Sequence, residues 1–375
     1  MADRPLESEG KRPAWTELND LAAQEAGGSI LFATDDWFAH AENLLSSAEP
    51  VWKEGFTEQG KWMDGWETRR KRIPGHDWCI IKLGLPGVIS GVEIRTDFFT
   101  GNYTPKASIQ ATRLNSEMPT FKRDRRAGLA ATAEQFKEIE VYESGCWKEI
   151  VPRTPLGAGY KDTARTFIEV SSKEVYTHIR LNMFPDGGIA RLRVYGVCTP
   201  LSTLAPGELV DLAAAELGGV CVGYSNAHYG HPRNMIRLGR GKDMGDGWET
   251  ARKLDRPSIL TAGKDGIFQV PGYEWACFRL GFPGNVLRVE VDTNHFKGNY
   301  PDSVIIDGCF VQQNLERDNI ENQEWQVLLP GKKLGPHHQH FFDVSEIADV
   351  GKINHIRVRM FPDGGISRIR VLGHI

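Results

Sequence analysis

The chain has 375 residues, with 45 Lys and Arg against 49 Asp and Glu and a formal net charge of -4. That length allows two domains, each with its own core, and is too long for one ordinary β-sandwich. The charge balance gives no sustained positive field, so nucleic-acid and anionic-membrane binding lack their electrostatic footprint and a small partner is expected.

Residues 1–14 are polar without an apolar core and read as a tail rather than a signal peptide, and no later apolar run approaches membrane-spanning length. A cytoplasmic protein is the expectation. The cysteines Cys79, Cys146, Cys198, Cys221, Cys277 and Cys309 are scattered without C-x-x-C spacing, which suits buried free thiols in a reducing compartment. Glu17 to Ala26 reads as a short helix stopped by Gly27-Gly28, and Thr34 or Asp35 is placed to cap another running to Leu45.

Asp64-Gly65-Trp66-Glu67-Thr68 follows, with Arg70 two places on, then Leu83-Gly84-Leu85-Pro86-Gly87 and Phe99-x-Gly101-Asn102-Tyr103. The basic run Lys122-Arg123-Asp124-Arg125-Arg126 reads as a solvated face. Phe167 to Val170 has strand character, and Ile179, Leu181 and Met183 alternate with His178, Arg180 and Asn182, the period of a strand with one buried and one polar face. The heptapeptide Met183-Phe184-Pro185-Asp186-Gly187-Gly188-Ile189 contains a hairpin-turn signal and leads into Arg191-x-Arg193-Val194.

After a linker at 199–206, the whole series recurs in the same order. Glu208 to Leu217 stops at Gly218-Gly219, and His231 and Asn234 fall on His40 and Asn43. Asp246-Gly247-Trp248-Glu249-Thr250 with Arg252, Leu280 to Gly284, Phe296 to Tyr300, Met360 to Ile366 and Arg368 complete the second copy. The copies therefore span 15–198 and 207–375. The first is longer between Tyr103 and Trp147, the second between Trp248 and Trp275. Alternating runs broken by turn residues, without strand–helix alternation, predict an all-β fold of two jelly-roll-like sandwiches in tandem.

These doubled motifs, in this order, resemble the allantoicase family over nearly all the chain after the first dozen residues. The resemblance implies a tandem pair of jelly-roll domains similar to galactose-binding-like sandwiches, and hydrolysis of allantoate to ureidoglycolate and urea. It supplies no residue-by-residue catalytic list, so the roles below rest on chemistry alone. A non-catalytic module binding a sugar or other polar ligand is the alternative, since the fold does not dictate function.

Allantoate carries one carboxylate and two ureido groups on a single carbon. Its carboxylate calls for an arginine fork, its ureido groups for carboxylate or amide partners, and cleavage of the carbon–nitrogen bond for an acid and a base. Glu67 and Glu249, with Asp64 and Asp246, are the acid–base candidates; Arg70, Arg252, Trp66 and Trp248 complete each set as binding candidates. The competing reading makes Asp-Gly a turn, Trp core, and Glu–Arg a surface bridge.

Asn102, Tyr103, Asn299 and Tyr300 are placed to hold a ureido group or, alternatively, to form an Asx-turn with Tyr packed on the sandwich. Asp186 and Asp363 read as turn residues, with Arg191 and Arg368 beyond them as carboxylate anchors. No cofactor is implied by a motif; a divalent metal is left open, with His337, His338 and His340 as the one dense histidine cluster. Gly223-Tyr224-Ser225-Asn226-Ala227 mimics a nucleophile elbow without the required strand-to-helix setting, and Gly239-x-Gly241 has the wrong spacing for a phosphate loop. A homo-oligomer is likewise left open.

Overall fold

The computed structural model describes residues 12–114, 118, 121, 123, 126–142, 145–201, 204–205, 207–312, 315 and 319–375. Two compact units emerge, Asn19–Thr199 and Pro200–Ile375, the latter joined by the segment up to Leu18. Residues 1–11 of the expected tail, and Ser202, Thr203 and Pro206 of the expected linker, lie outside the described residues. Ala14 opens a helical turn, Ala14–Glu17, that packs with the second unit: Glu17 accepts from His231 Nε2 at 2.7 Å, and Arg233 donates to the carbonyls of Thr16 and Leu18.

Each unit is built around one 19-residue strand, Asp77–Arg95 in the first and Glu274–Asp292 in the second. The first half of Asp77–Arg95 pairs antiparallel with Ser29–Ala33 and Val175–Phe184; the second half pairs with Arg165–Glu169 and Arg191–Cys198. The strand thus runs from one layer of a sandwich into the other. Lys106–Thr112 and Lys148–Pro155 extend the first layer beyond Val175–Phe184. The second unit repeats this order, with Val220–Tyr224, Lys352–Phe361, Gln339–Phe342 and Arg368–His374 around Glu274–Asp292, then Ser303–Cys309 and Gln326–Lys333. Ile179, Leu181, Met183, Leu192 and Val194 are fully buried between the layers, as are Ile356, Val358, Met360, Ile369 and Val371. This is the expected tandem of jelly-roll sandwiches.

Leu83–Gly87 lies where the long strand changes partners, and its glycines are spaces rather than turns. A Cβ at Gly84 would stand 2.3 Å from the Ala26 carbonyl oxygen, and one at Gly87 2.2 Å from that of Val197. Only glycine lets those backbones approach.

Several local expectations give way to tertiary pairing. Within the expected helix 17–26, Asn19–Asp20 instead pairs with Tyr195 and Gly196, Leu21 and Ala22 are fully buried, and helix survives only as the turn Gln24–Ala26. Glu208–Leu217 behaves likewise, with Val210–Asp211 on the sheet edge and a turn at Ala215–Leu217. Segments this short gain more from edge pairing and burial than from isolated helix formation. The stop is as expected: Gly27 and Gly218 both adopt φ 96° as left-handed caps. The helix expected up to Leu45 is the turn Ala41–Leu45, preceded by a bridge at Asp35–Asp36.

Conversely, Ala133–Glu140 is an α-helix that the sequence pattern did not reveal, opened by a capping box between Thr132 and Gln135. It lies in the long insertion of the first copy and lays Ile139 against Phe32, Trp78, Ile80 and Met118. This outer cluster explains why the polar face of Val175–Phe184 is not solvated: His178 and Asn182 are buried, and Arg180 stacks 3.8 Å from the Trp78 ring centre. The basic run is corrected at one position: Arg123 is a half-buried crosslink, bonded to Asp36 and Glu42 at 2.7 Å each, whereas Arg126 is exposed as expected, and Lys122, Asp124 and Arg125 lie outside the described residues. None of the six cysteines joins a disulfide, and five are buried; Cys146 is exposed.

Candidate active site

Trp66–Glu67 pairs with Gly188–Ile189, and Ala39 bridges Glu67 from the other side; Trp248–Glu249 pairs with Gly365–Ile366, with Gly230 in the role of Ala39. Alternation along so short a strand sends Trp66 inward and Glu67 outward. Trp66 and Trp248 are fully buried, and their indole N–H groups donate to the carbonyls of Asp35 and Asn226, 2.8 Å in each case. These tryptophans are core, with no face left for a ligand.

Pro-Asp-Gly-Gly does not close a hairpin. Val175–Phe184 and Arg191–Cys198 flank the long strand on opposite sides, so the heptapeptide crosses over its end. Asp186 accepts from the Lys71 backbone N–H at 2.7 Å and Asp363 from that of Lys253 at 2.9 Å, tying the crossover to the segment just after each Glu. Gly187 and Gly364 take φ 125° and 139°, and a Cβ on Gly188 or Gly365 would stand 2.0 Å from the ring of Phe99 or Phe296. That bare backbone lets Gly188 and Gly365 donate to the carbonyls of Asn102 and Asn299 at 2.8 Å.

The outcome is one constellation built twice. The Asn102 side-chain amide donates to Glu67 Oε1 at 2.6 Å, and that of Asn299 to Glu249 Oε1 at 2.6 Å. The second carboxylate oxygen of each Glu makes no hydrogen bond among the described residues. Burial pushes the Glu67 carboxyl above the usual carboxylate range, and the Asn102 N–H pulls it partly back. Glu249 is raised by its own burial, with Asn299 and then His228 opposing.

Tyr103 and Tyr300 stand half-buried beside these asparagines, Tyr103 against the Met63, Phe99 and Ala190 cluster, and neither phenol oxygen is bonded among the described residues. Arg70 and Arg252 are exposed and without an ionic partner among the described residues.

Other candidates have different duties. Arg191 is buried, donating from Nη2 to Asp64 Oδ2 at 2.8 Å, from Nη1 to the Asp64 carbonyl at 3.2 Å and from Nε to the Ala48 carbonyl at 3.0 Å. Asp64 Oδ2 also accepts from the Val51 backbone N–H. Arg368 holds Asp246 in the same way, with Nη2 to Oδ2 at 2.7 Å and Nη1 on the carbonyl. Both guanidinium groups are spent on the Asp-Gly turn that precedes the Trp-Glu strand, so they do not face a ligand as carboxylate anchors.

His40 and His231 each precede a helical turn, and Asn43 and Asn234 donate to the carbonyls of Gly65 and Gly247, again framing the turn. In the histidine cluster, His340 uses both ring nitrogens on the backbone of Val291 and Gly335, and His337 Nδ1 accepts from the His295 N–H. His338 meets His340 edge to face, and no group of three or more metal-ligating side chains assembles among the described residues.

Sequence reasoning missed Asp35, Trp37 and Arg69. Asp35 Oδ2 accepts from Arg69 Nε at 2.7 Å and pairs with Nη2 at 2.7 Å; Oδ1 accepts from the Arg69 and Trp37 backbone N–H groups. The Arg69 guanidinium carbon stands 4.5 Å from the Trp37 ring centre. The available signal was the Arg69-Arg70 pair, whose first member becomes Ala251 in the second copy.

Fold and site together define a duplicated jelly-roll protein that presents, once per copy, a carboxyl positioned by an amide, buried in the first copy and half-buried in the second, an arrangement suited to acid–base chemistry on a small polar molecule. A family model described as the allantoicase repeat matches residues 19–199 and 210–375, and the chain belongs to the allantoicase family. It is 42% identical over 360 residues, 95% of this chain and 96% of the relative, to a protein named probable allantoicase from Pseudomonas fluorescens (strain SBW25). A probable allantoicase from Pseudomonas aeruginosa (strain UCBPP-PA14) is 41% identical over 357 residues, 94% of this chain and 95% of the relative. The crystal structure of allantoicase from Saccharomyces cerevisiae superposes with a TM-score of 0.73 at 32% identity, over 95% of this chain and 93% of that one.

Proposed function

We propose that the protein hydrolyses allantoate to ureidoglycolate and urea, with Glu67 as the proton-transferring group. The observation that carries this reading is a buried carboxyl with one oxygen fixed by Asn102 and the other open. Its raised proton affinity suits it to begin as the acid. Neutral Glu67 gives its proton to the nitrogen of one ureido group as the bond from that nitrogen to the central carbon breaks, and the bonding pair leaves with urea. The lone pair of the remaining ureido nitrogen supports the cationic carbon. Water then adds to that carbon and returns a proton to the Glu67 carboxylate, which regenerates the acid and completes ureidoglycolate.

Asn102 orients Glu67, and Tyr103, next in the chain to Asn102, offers the ureido oxygen a hydroxyl without a bond among the described residues. Arg70 supplies a cation, unpaired among the described residues, three residues from Glu67 and attracts the anionic substrate. Asn299, Glu249, Tyr300 and Arg252 offer the same groups in the second copy. Asp64, Asp246, Arg191, Arg368, Trp66 and Trp248 act as the frame that holds them. We place the enzyme in the cytoplasm, a reading supported by six cysteines outside any disulfide, and no helix among the described residues is long and apolar enough to cross a membrane.

Urea and ureidoglycolate assayed from purified protein and allantoate, with and without divalent metal, test the activity. Absence of product above the spontaneous rate under both conditions would overturn it.

A further inference from the structure

We infer that the substrate's carboxylate is held by Arg69, through a receptor that exists only in the first copy; this rests on the allantoate reading above. Arg69 stands two residues beyond Glu67, just past the end of the strand Trp66–Glu67, where its backbone N–H donates to Asp35 Oδ1 at 3.1 Å. Asp35 grips one edge of the guanidinium through Nε and Nη2, and Trp37 supports its flat face. Nη1 and the second hydrogen of Nη2 have no other partner among the described residues, and the side chain is 47% exposed. The remaining edge is therefore a fixed pair of parallel donors open to solvent, matched to a planar carboxylate. Fixing the fork in advance removes the ordering cost that a free arginine such as Arg70 would bear on binding.

The second copy loses every part of this receptor at once. Asn226 stands for Asp35, Ala251 for Arg69 and His228 for Trp37, while the shared framework stays: Asn226 still accepts from Trp248 through its carbonyl and from the Ala251 N–H through Oδ1. The backbone scaffold has been kept and the anion-binding side chains have not. Recognition of an anionic ureide at a carboxyl-bearing site is thereby assigned to the first copy.

The test compares allantoate with its neutral carboxamide, which keeps both ureido groups. Binding is titrated calorimetrically in the Glu67→Gln protein, with and without Arg69→Ala, and KM and kcat for allantoate are measured with Glu67 intact. Arg69→Ala should weaken allantoate binding roughly 10- to 100-fold, the scale of a charge-assisted pair, and leave carboxamide binding unchanged. KM should rise more than kcat falls. Arg69→Lys, which keeps the charge without the fork, should recover only part of the loss.

Equal weakening of both ligands would make Arg69 a structural residue, and unchanged allantoate binding would place the carboxylate elsewhere; either overturns the inference. Failure of the activity reading is separate: it appears as no urea from the wild-type protein, whatever the titrations give.

Discussion

The two copies of the site share their hydrogen-bond skeleton and differ in what surrounds it. Glu67–Asn102 and Glu249–Asn299 have the same 2.6 Å bond, and both are framed by an Arg–Asp lock, a buried Trp bonded to a carbonyl, and a crossover tied by an aspartate. The first copy carries a clamped arginine packed on Trp37 two residues beyond Glu67; in the second, His228 joins Asn299 in opposing the rise that burial gives the Glu249 carboxyl. Glu67 is also the more deeply buried of the two. Duplication preserved the geometry while the electrostatics diverged, because backbone bonds tolerate changes of neighbour that a pKa does not.

That contrast can be broken most directly at the carboxylates. Glu67→Gln should reduce kcat for allantoate by about 10²- to 10⁴-fold, the usual contribution of a positioned acid–base group, with Glu249→Gln costing only a few-fold. Equal losses in continuous urea assays would erase the functional distinction between the copies.

The shared framework should respond unequally. Arg191→Ala leaves the largely buried Asp64 without an ionic partner among the described residues and should destabilise its unit by about 3 kcal/mol in denaturant unfolding, whereas Arg368→Ala should cost less because Arg237 still pairs with Asp246 at 3.3 Å. Equal losses at the two positions would show that Arg237 does not relieve Asp246.

Removing the Asn102 bond by Asn102→Ala should sharpen the electrostatic side of the comparison. The amide N–H favours the ionised carboxyl, so its loss raises the Glu67 proton affinity further and moves the corresponding limb of the pH–rate profile upward. A limb that stays in place would mean another group controls it.

The smallest effect is on stability. A carboxyl raised on folding contributes stability that is fully present below its unfolded value, about 4.3, and is lost as pH rises through its folded value. Glu67→Gln cannot ionise and escapes that loss. Thermal unfolding should therefore show the variant gaining on wild type from about pH 4.3 upward, with a weaker gain for Glu249→Gln. No change of the difference with pH would contradict the raised affinity.

Much of this was legible before any coordinates. The ordered double set of Asp-Gly-Trp-Glu-Thr, Leu-Gly-x-Pro-Gly, Gly-Asn-Tyr and Met-Phe-Pro-Asp-Gly-Gly-Ile established two copies, and the alternation around Ile179 and Ile356 established strands. Glu67 and Asn102 are both candidates by residue type, 35 residues apart, without any sign in the sequence that they touch. Arg191 looked like an anchor because arginine beside a polar loop is common on surfaces; its burial on Asp64, 127 residues away, is a long-range fact. Arg69 was passed over beside Arg70 because two adjacent arginines look alike until one is clamped and the other left free.

Periodicity, glycine placement and repetition are properties of neighbouring residues, so the chain alone determined the fold class, the duplication and the family. Which polar groups meet, which are buried and which stay open depends on strands brought together from distant segments. The Glu67–Asn102 pair, the Asp35–Arg69–Trp37 receptor and the demotion of Arg191 and Trp66 to framework belong to that second kind. A carboxyl becomes an acid, and an arginine an anchor, through the solvent and partners that tertiary packing removes or supplies.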